Sequence, residues 1–441
     1  MHHLRDRHST LYFVLPVILE SLLSTGTGLV FSWFIGGISG SSLTTISLGN
    51  QVINLIVAAA TMLTTGSGIL CARLLGADDP AEASRIAEQT LFLSVVAGVA
   101  ITLPCLIFAG PLMSLLMPNA ESAVLAEGVA YFRVLILSLT ATMLINSVNS
   151  ILRSSGDSRS PMIVTLTLCG LQLIFSWLFL RLMHMDVMGA GLVFLLCRCF
   201  AAALGLFILL RSHRYHLNLR RALRPDATSF RRILSVGVPT SVEAIFVAMG
   251  YLVANSMVIG LGTFQAAVYN VANTLYSFAA LPQGICSAIA TAIIGQLIGA
   301  KRYDQARRSG WGIWVMGMAA SFLLSGLLVI FRSQLTPIYS ADAAVQHASA
   351  AAMGAVFAMC IPAISLNTLD PQLRAGGDVK YVMYVSIIAV WIIRLPATWL
   401  FCYYWRMGAQ GVLWANTLSL TFRMICNMAR FIRGKYLYMR V

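Results

Sequence analysis

The sequence predicts an all-α integral membrane protein, with twelve transmembrane helices forming two parallel-repeat six-helix lobes around a central cleft. Three observations carry this. Of 441 residues, 58% are hydrophobic and 10% charged, with a mean hydropathy of +0.81, whereas soluble domains carry about 25% charged residues. Apolar runs of about 20 residues, enough to cross about 30 Å of hydrocarbon, recur from Leu11 to Leu437. The second half of the chain also repeats the first. Backbone groups in lipid must pair within their own segment, so each run is a helix.

The runs place spans at 11–34, 43–72, 88–109, 129–152, 160–180, 187–210, 233–259, 264–298, 310–331, 346–370, 381–404 and 408–432. This divides the chain into an N-terminal tail (1–10), an N-lobe (11–210), a basic linker (211–232), a C-lobe (233–434) and a C-terminal tail (435–441). The first run lacks a small-residue cleavage site and is too long for the apolar part of a signal peptide, which predicts that it is retained.

A net charge of +14 invites a nucleic-acid reading, but the charges sort by membrane side. Setting aside Arg198, Arg394 and Arg423 within spans, all Lys and Arg but Arg133, Arg181, Arg332 and Arg406 fall on the side of the N terminus. The positive-inside rule then places both termini in the cytoplasm of a multi-pass cell (inner) membrane protein. The linker faces anionic headgroups, so membrane lipid is its expected partner and nucleic acid is not. The nine Cys lie in or beside spans without a Cys-x-x-Cys pair, and the seven His lie in tails and loops or, for His347, at the very edge of a span. Neither a disulfide framework, a zinc site nor a buried imidazole relay is indicated.

A shift of 223 positions sets Pro16 on Pro239, Glu20 on Glu243, Asn50 on Asn273, and RLLGADDPAEASR (73–85) on QLIGAKRYDQARR (296–308). A shift of 221 sets NSILRSSGD (149–157) on DPQLRAGGD (370–378), and Asn146 on Asn367. With six spans per half, both halves have the same orientation, an arrangement that favours a central site and rocking between access states.

Charge at the bilayer centre costs about 2.5–3.5 kcal/mol on insertion scales, so each such group needs a partner, a cavity or a function. Glu20 and Glu243 sit near mid-depth, each four residues after a proline (Pro16, Pro239) that removes a helical hydrogen bond and predicts a kink. Two readings stay open. Low dielectric favours the neutral carboxyl, so protonation could bias the kink, or the ionised carboxylates with Asn50 or Asn273 oxygens could bind Na⁺. Alternatively each Glu pins helices together, paired with Arg198, Arg394 or Arg423. Asp370 is expected to start a cytoplasmic loop before Pro371. Arg394 either snorkels or lines the cavity. Asn50, Asn146, Asn273 and Asn367 either face a polar cleft or bond between helices. Met249 and Tyr269, with Tyr251, Tyr276 and Phe278, offer an adaptable wall for apolar ligands or plain packing. No phosphate-cradling Gly-x4-Gly-Lys-Ser/Thr loop occurs, so an ion gradient is the expected energy source and no cofactor is expected.

The chain resembles the multidrug and toxic compound extrusion (MATE) family, within the superfamily that includes lipid-linked oligosaccharide flippases. The resemblance covers essentially the whole chain and rests on the order, spacing and duplication of LPVILESLLSTGTGLVFSWFIG, ARLLGADDPAEASR, ILRSSGDSRSPM, VGVPTSVEAIF, IGQLIGAKRYDQARRSG, QLRAGGDVKYVM and IIRLPATWLF. It implies two six-helix lobes enclosing a central cleft, with H⁺ or Na⁺ entering as amphipathic, often cationic, substrates leave. It makes Pro16 the family's helix-bending proline. Many prokaryotic members have an Asp just before a motif like SWFIG, where Phe31 followed by Ser32 stands here. The cation site then falls to Glu20, or to the C-lobe around Glu243.

The expected function is secondary active export of small organic compounds by a monomer, in antiport with H⁺ or Na⁺ through alternating access. A flippase for a lipid-linked or amphiphilic cargo keeps the same fold and would favour a strongly cationic cleft. A membrane-embedded enzyme would need a nucleophile with its base or a metal-ligand cluster, and the spans carry neither, so no enzyme is expected.

Overall fold

The computed structural model describes residues 7–36, 53, 56–57, 62–116, 122–218, 221, 224–339 and 342–438. Asn50 and most of the first part of predicted span 2 lie outside them. The described residues are helical, without strands. They divide into two compact units, before and after the Gly237–Val238 bond.

The first unit contains α1 (Arg7–Gly36), α2 (Met62–Gly76), α3 (Pro80–Ile107), α4 (Ala109–Leu116), α5 (Ser122–Ser154), α6 (Arg159–Ser176, extended by a π segment to Leu182) and α7 (Val187–Leu210). α8 (Ala227–Gly260) begins in the first unit and continues into the second. The second adds α9 (Thr263–Ala279), α10 (Leu281–Gly299), α11 (Tyr303–Ile330), α12 (Arg332–Tyr339), α13 (Ala343–Ala375), α14 (Val379–Tyr404) and α15 (Ala409–Arg433). Nine of these helices are long and apolar enough to cross a membrane. The chain is an all-α, multi-pass membrane protein.

Local chemistry sets the helix ends. Asp79 caps α3 by accepting from the Glu82 N–H, and Pro80 takes the first position, where its missing N–H is no loss. Asp342 caps α13 by accepting from the Ala344 N–H. Gly434, at φ 68°, ends α15 in the left-handed conformation. The run 264–298 is not one continuous helix: it breaks at Ala280, because Pro282 cannot donate to the preceding turn. α14 carries two π segments, Ala389–Arg394 and Leu400–Tyr404, on either side of Pro396.

Backbone conformation follows the sequence repeat. Asp78 and Lys301, both at φ 57°, are related by the 223-residue shift. Gly156 (φ 83°) and Gly377 (φ 97°) are related by the 221-residue shift. His184 (φ 50°) and Arg406 (φ 52°) likewise occupy corresponding turns, each just after a π segment. A left-handed non-glycine residue is uncommon, so its recurrence in register marks two copies of one backbone path.

Packing is that of a membrane protein. Large apolar residues such as Leu103, Ile107, Phe207, Leu323, Ile330 and Ile392 are exposed, whereas small and hydroxylated residues line the helix contacts. α5 packs against α3 and α7, and α1 against α6; in the second unit α13 packs against α10, α11 and α15. Ser94 and Ser147 bond across α3 and α5 at 2.7 Å, and Trp314 donates to Ser365 across α11 and α13 at 3.1 Å.

The basic linker packs against α3 and α5. Tyr215 is buried and donates to the Ile151 carbonyl at 2.9 Å. The backbone N–H groups of His216, Asn218 and Asp226 donate to Ser84, Glu88 and Gln89 on α3. Arg85 pairs with Asp226 at 2.9 Å, and Arg232 with Glu82 at 2.8 Å. The first turns of α3 therefore grip the linker.

Candidate functional site

α1 runs through Pro16, which is buried, and places Glu20 one turn later, 8% exposed. Arg153, at the end of α5, pairs with Glu20 Oε1 at 2.5 Å, and Thr165 on α6 donates to the same oxygen at 2.9 Å. Glu20 Oε2 is buried and has no hydrogen-bond partner among the described residues. The carboxylate thus has one satisfied oxygen and one free to receive a positive species.

The repeat places Glu243 at the matching position on α8, one turn after Pro239, with which the helix is again continuous. Glu243 is 4% exposed. Arg374 on α13 donates to Oε2 at 2.7 Å, and Ser386 on α14 donates to Oε1 at 2.6 Å. Arg374 and Ser386 are the 221-residue counterparts of Arg153 and Thr165, so the same Glu–Arg–hydroxyl triad is built twice. The second copy is enlarged. Arg423 on α15 pairs with Glu243 Oε1 at 3.3 Å and with Asp370 Oδ2 at 2.8 Å, while Asn427 donates to Asp370 Oδ1. Both oxygens of both acids are engaged.

Three expectations are corrected. Of the three arginines expected to pair with the glutamates, only Arg423 does so; Arg198 donates to Ser138 at 2.8 Å and lies over Phe194. Arg394 makes no ion pair among the described residues: it is 1% exposed, lies 3.7 Å over the Tyr251 ring, and its Nε, Nη1 and Nη2 have no hydrogen-bond partner. Asp370 does not start a loop, because α13 continues through Pro371 to Ala375 and carries the buried Asp370 and the half-buried Arg374 on one helical turn.

The remaining candidates scatter. Phe31 is buried in an apolar cluster with Tyr131 and Phe132, its ring 4.7 Å from that of Phe194, so no ionisable group stands there. Ser32 lies on α1. Asn146 is half-buried on α5 and Asn273 is exposed on α9. Asn367 donates to Gln283 at 3.1 Å and to the Ala363 carbonyl, an interhelical bond joining α13 to α10. Tyr269 is buried, whereas Met249 is exposed.

Sequence reasoning missed Arg153, Arg374, Thr165, Ser386 and Asn427 as partners. A loop position and an ordinary hydroxyl carry no local signal. The repeat held one: the shift that aligned Arg153 with Arg374 also aligns Thr165 with Ser386.

Known proteins resemble this chain in sequence and in fold. The MatE family profile matches this chain twice, over residues 16–178 and 239–400, each match beginning at the helix proline before the glutamate. The probable multidrug resistance protein NorM of Thermotoga maritima is 23% identical over 98% of this chain and 93% of its own length. An outward-facing multidrug resistance MATE family transporter of the MOP superfamily shares the fold with a TM-score of 0.87 at 20% identity, over 97% of this chain and 96% of that one. A MATE crystal structure in the bent conformation gives 0.86 at 20% identity, over 96% and 94%. Its duplicated glutamate helices and its twofold match to the family profile make this chain a member of the MatE family of multidrug and toxic compound extrusion transporters.

Proposed function

We propose that this chain is a secondary active transporter of the cell membrane that exports small organic, amphipathic or cationic compounds. It exchanges them for H⁺ or Na⁺ by alternating access, as a monomer with both termini in the cytoplasm. The multidrug resistance role named for relatives such as the Thermotoga maritima protein supports drug-like cargo.

The observation that carries the coupling is the buried, unpartnered Oε2 of Glu20. A carboxylate oxygen at that depth accepts a proton or contributes to a Na⁺ shell, since hard cations take oxygen ligands. Either species neutralises Glu20 and weakens its hold on Arg153 at the end of α5. α1 is able to respond, because Pro16 removes a backbone hydrogen bond one turn away. A charge event at one oxygen thereby biases a bendable helix between two shapes, and each shape offers the cargo a different affinity.

Uptake of a fluorescent organic cation into proteoliposomes tests this, with ΔpH or ΔNa⁺ imposed separately. One of the two gradients is expected to drive accumulation, and dissipating it with an ionophore to abolish it. Accumulation indifferent to both gradients would remove the antiport reading.

A further inference from the structure

The second unit holds a buried cation that the glutamate network does not use. Arg394 ends the π segment Ala389–Arg394, two residues before Pro396. A widened turn next to a proline re-aims the side chains it carries. α14 and α8 lie side by side here: Ser386 donates to Glu243, the Trp391 indole donates to the Phe246 carbonyl, and Gly250 meets the Val390 side chain. A Cβ at Gly250 would overlap Val390, so the glycine permits the approach that brings the Tyr251 ring over the guanidinium. Tyr251 and Arg394 each lie eight residues beyond Glu243 and Ser386, about 12 Å further along both helices. The two positions are separate rungs of one helix pair.

A guanidinium stacked on a ring has one face covered, but its five N–H donors lie in its plane and the ring does not satisfy them. In Arg394 none of the three nitrogens has a hydrogen-bond partner among the described residues. A buried charge with open donors is costly unless a counter-charge meets it. No ion pair among the described residues supplies one, since the carboxylates of Glu243 and Asp370 are held by Arg374 and Arg423. The surroundings are aromatic: Tyr269 and Tyr276 lie within electrostatic reach of Arg394, and Tyr251 is 41% exposed, so the covering ring borders open surface.

We propose that Arg394, stacked on Tyr251, binds the carboxylate group of an aromatic or amphipathic organic ligand. The fork of Nε and Nη2 matches two carboxylate oxygens held in one plane, a fit that a spherical halide does not use. The Tyr251 ring contacts the ligand's apolar part. An amphipathic zwitterion satisfies both this site and the export reading. The inference rests on that reading only for the ligand being cargo.

Isothermal titration of the purified full-length protein in nanodiscs tests it, with 1-naphthoate and its neutral isostere 1-naphthamide as probes. The acid is expected to bind about tenfold or more tighter than the amide, the size of a charge-assisted hydrogen-bond pair. Arg394→Gln should bring the two affinities together, and Arg394→Lys should keep part of the preference, because an ammonium supplies charge without the fork. Tyr251→Leu leaves the guanidinium in place and should weaken naphthoate binding several-fold, which keeps the test decisive if Arg394→Gln does not fold. Equal affinities for acid and amide in the unaltered protein, or undiminished naphthoate binding in either folded variant, would overturn the proposal. So would displacement of naphthoate by chloride or inorganic phosphate at lower concentration than by benzoate. No gradient is involved, so failure here leaves the uptake assay untouched.

Discussion

Glu20 and Glu243 occupy equivalent places in two copies of one backbone, yet they differ in what remains open. Glu20 has one arginine, one hydroxyl and an unpartnered oxygen. Glu243 has two arginines and a serine, and shares Arg423 with Asp370. The same triad is therefore left receptive in one half and filled in the other. For a cation to reach Glu243 it must displace an arginine, and for it to reach Glu20 it need displace nothing. Duplication supplied two acids, and neighbours on α13, α14 and α15 engage both oxygens of the second.

The comparison breaks most visibly at Arg423. Arg423→Ala leaves Asp370 without its arginine and removes the cation shared with Glu243, which keeps only Arg374 and Ser386; removing one partner of a buried pair costs about 3–5 kcal/mol. A large loss of melting temperature and of monodisperse protein is expected in detergent thermal-shift and size-exclusion measurements. Arg153→Ala strands a single acid and should cost less, and adding Glu20→Gln should restore most of the loss, because the amide leaves no unpaired charge. A double variant no more stable than Arg153→Ala would show that this pair does not govern the fold of the first unit.

The hydroxyls sharpen it. Thr165→Val and Ser386→Ala each remove a hydrogen bond to a charged acceptor, worth about 1.5–3 kcal/mol. Thr165→Val should have the greater effect on transport and Ser386→Ala the smaller, since Arg374 and Arg423 still hold Glu243. Equal transport defects would erase the distinction between the two triads.

The smallest effect is expected outside the membrane. The Ser229 hydroxyl holds the Asp226 carboxyl below its ordinary range, with the N–H groups of Ser229 and Thr228 and the Arg85 guanidinium adding to this. A depressed carboxylate contributes stability above its unfolded value of about 3.9, and that contribution is lost as pH falls through the folded value. Amide exchange at His216 and Asn218, corrected for intrinsic rate, should therefore rise in acid. Asp226→Asn should raise it at neutral pH while leaving transport unchanged.

Much of the fold was legible because lipid permits few solutions. Hydropathy named the spans, and a repeat of Pro, Glu, Gly and Arg at nearly constant spacing named the duplication. The glutamates were legible too, since a charge in an apolar run has to be explained. Their partners were not. Arg153 and Arg374 read as headgroup anchors because each lies one residue from a helix end, and only the carboxylates of Glu20 and Glu243 beside them show that they are ion-pair partners. Arg394 read as a possible partner for an acid, but sequence cannot show that α8 presents Tyr251 to it rather than Glu243. Span 8 read as continuous because a proline near the middle of an apolar run announces a break only when the helix on either side is seen.

The most direct test of receptive against filled acids is a paired transport measurement on Glu20→Gln and Glu243→Gln in proteoliposomes, comparing gradient-driven uptake with substrate exchange at zero gradient. Glu20→Gln should lose the response to ΔpH or ΔNa⁺ while still exchanging substrate, because the amide cannot take up the ion but leaves the path intact. Glu243→Gln, wherever it folds, should keep its gradient response. A gradient response that persists in Glu20→Gln and vanishes in Glu243→Gln would contradict the account and move the coupling ion to the second half of the chain.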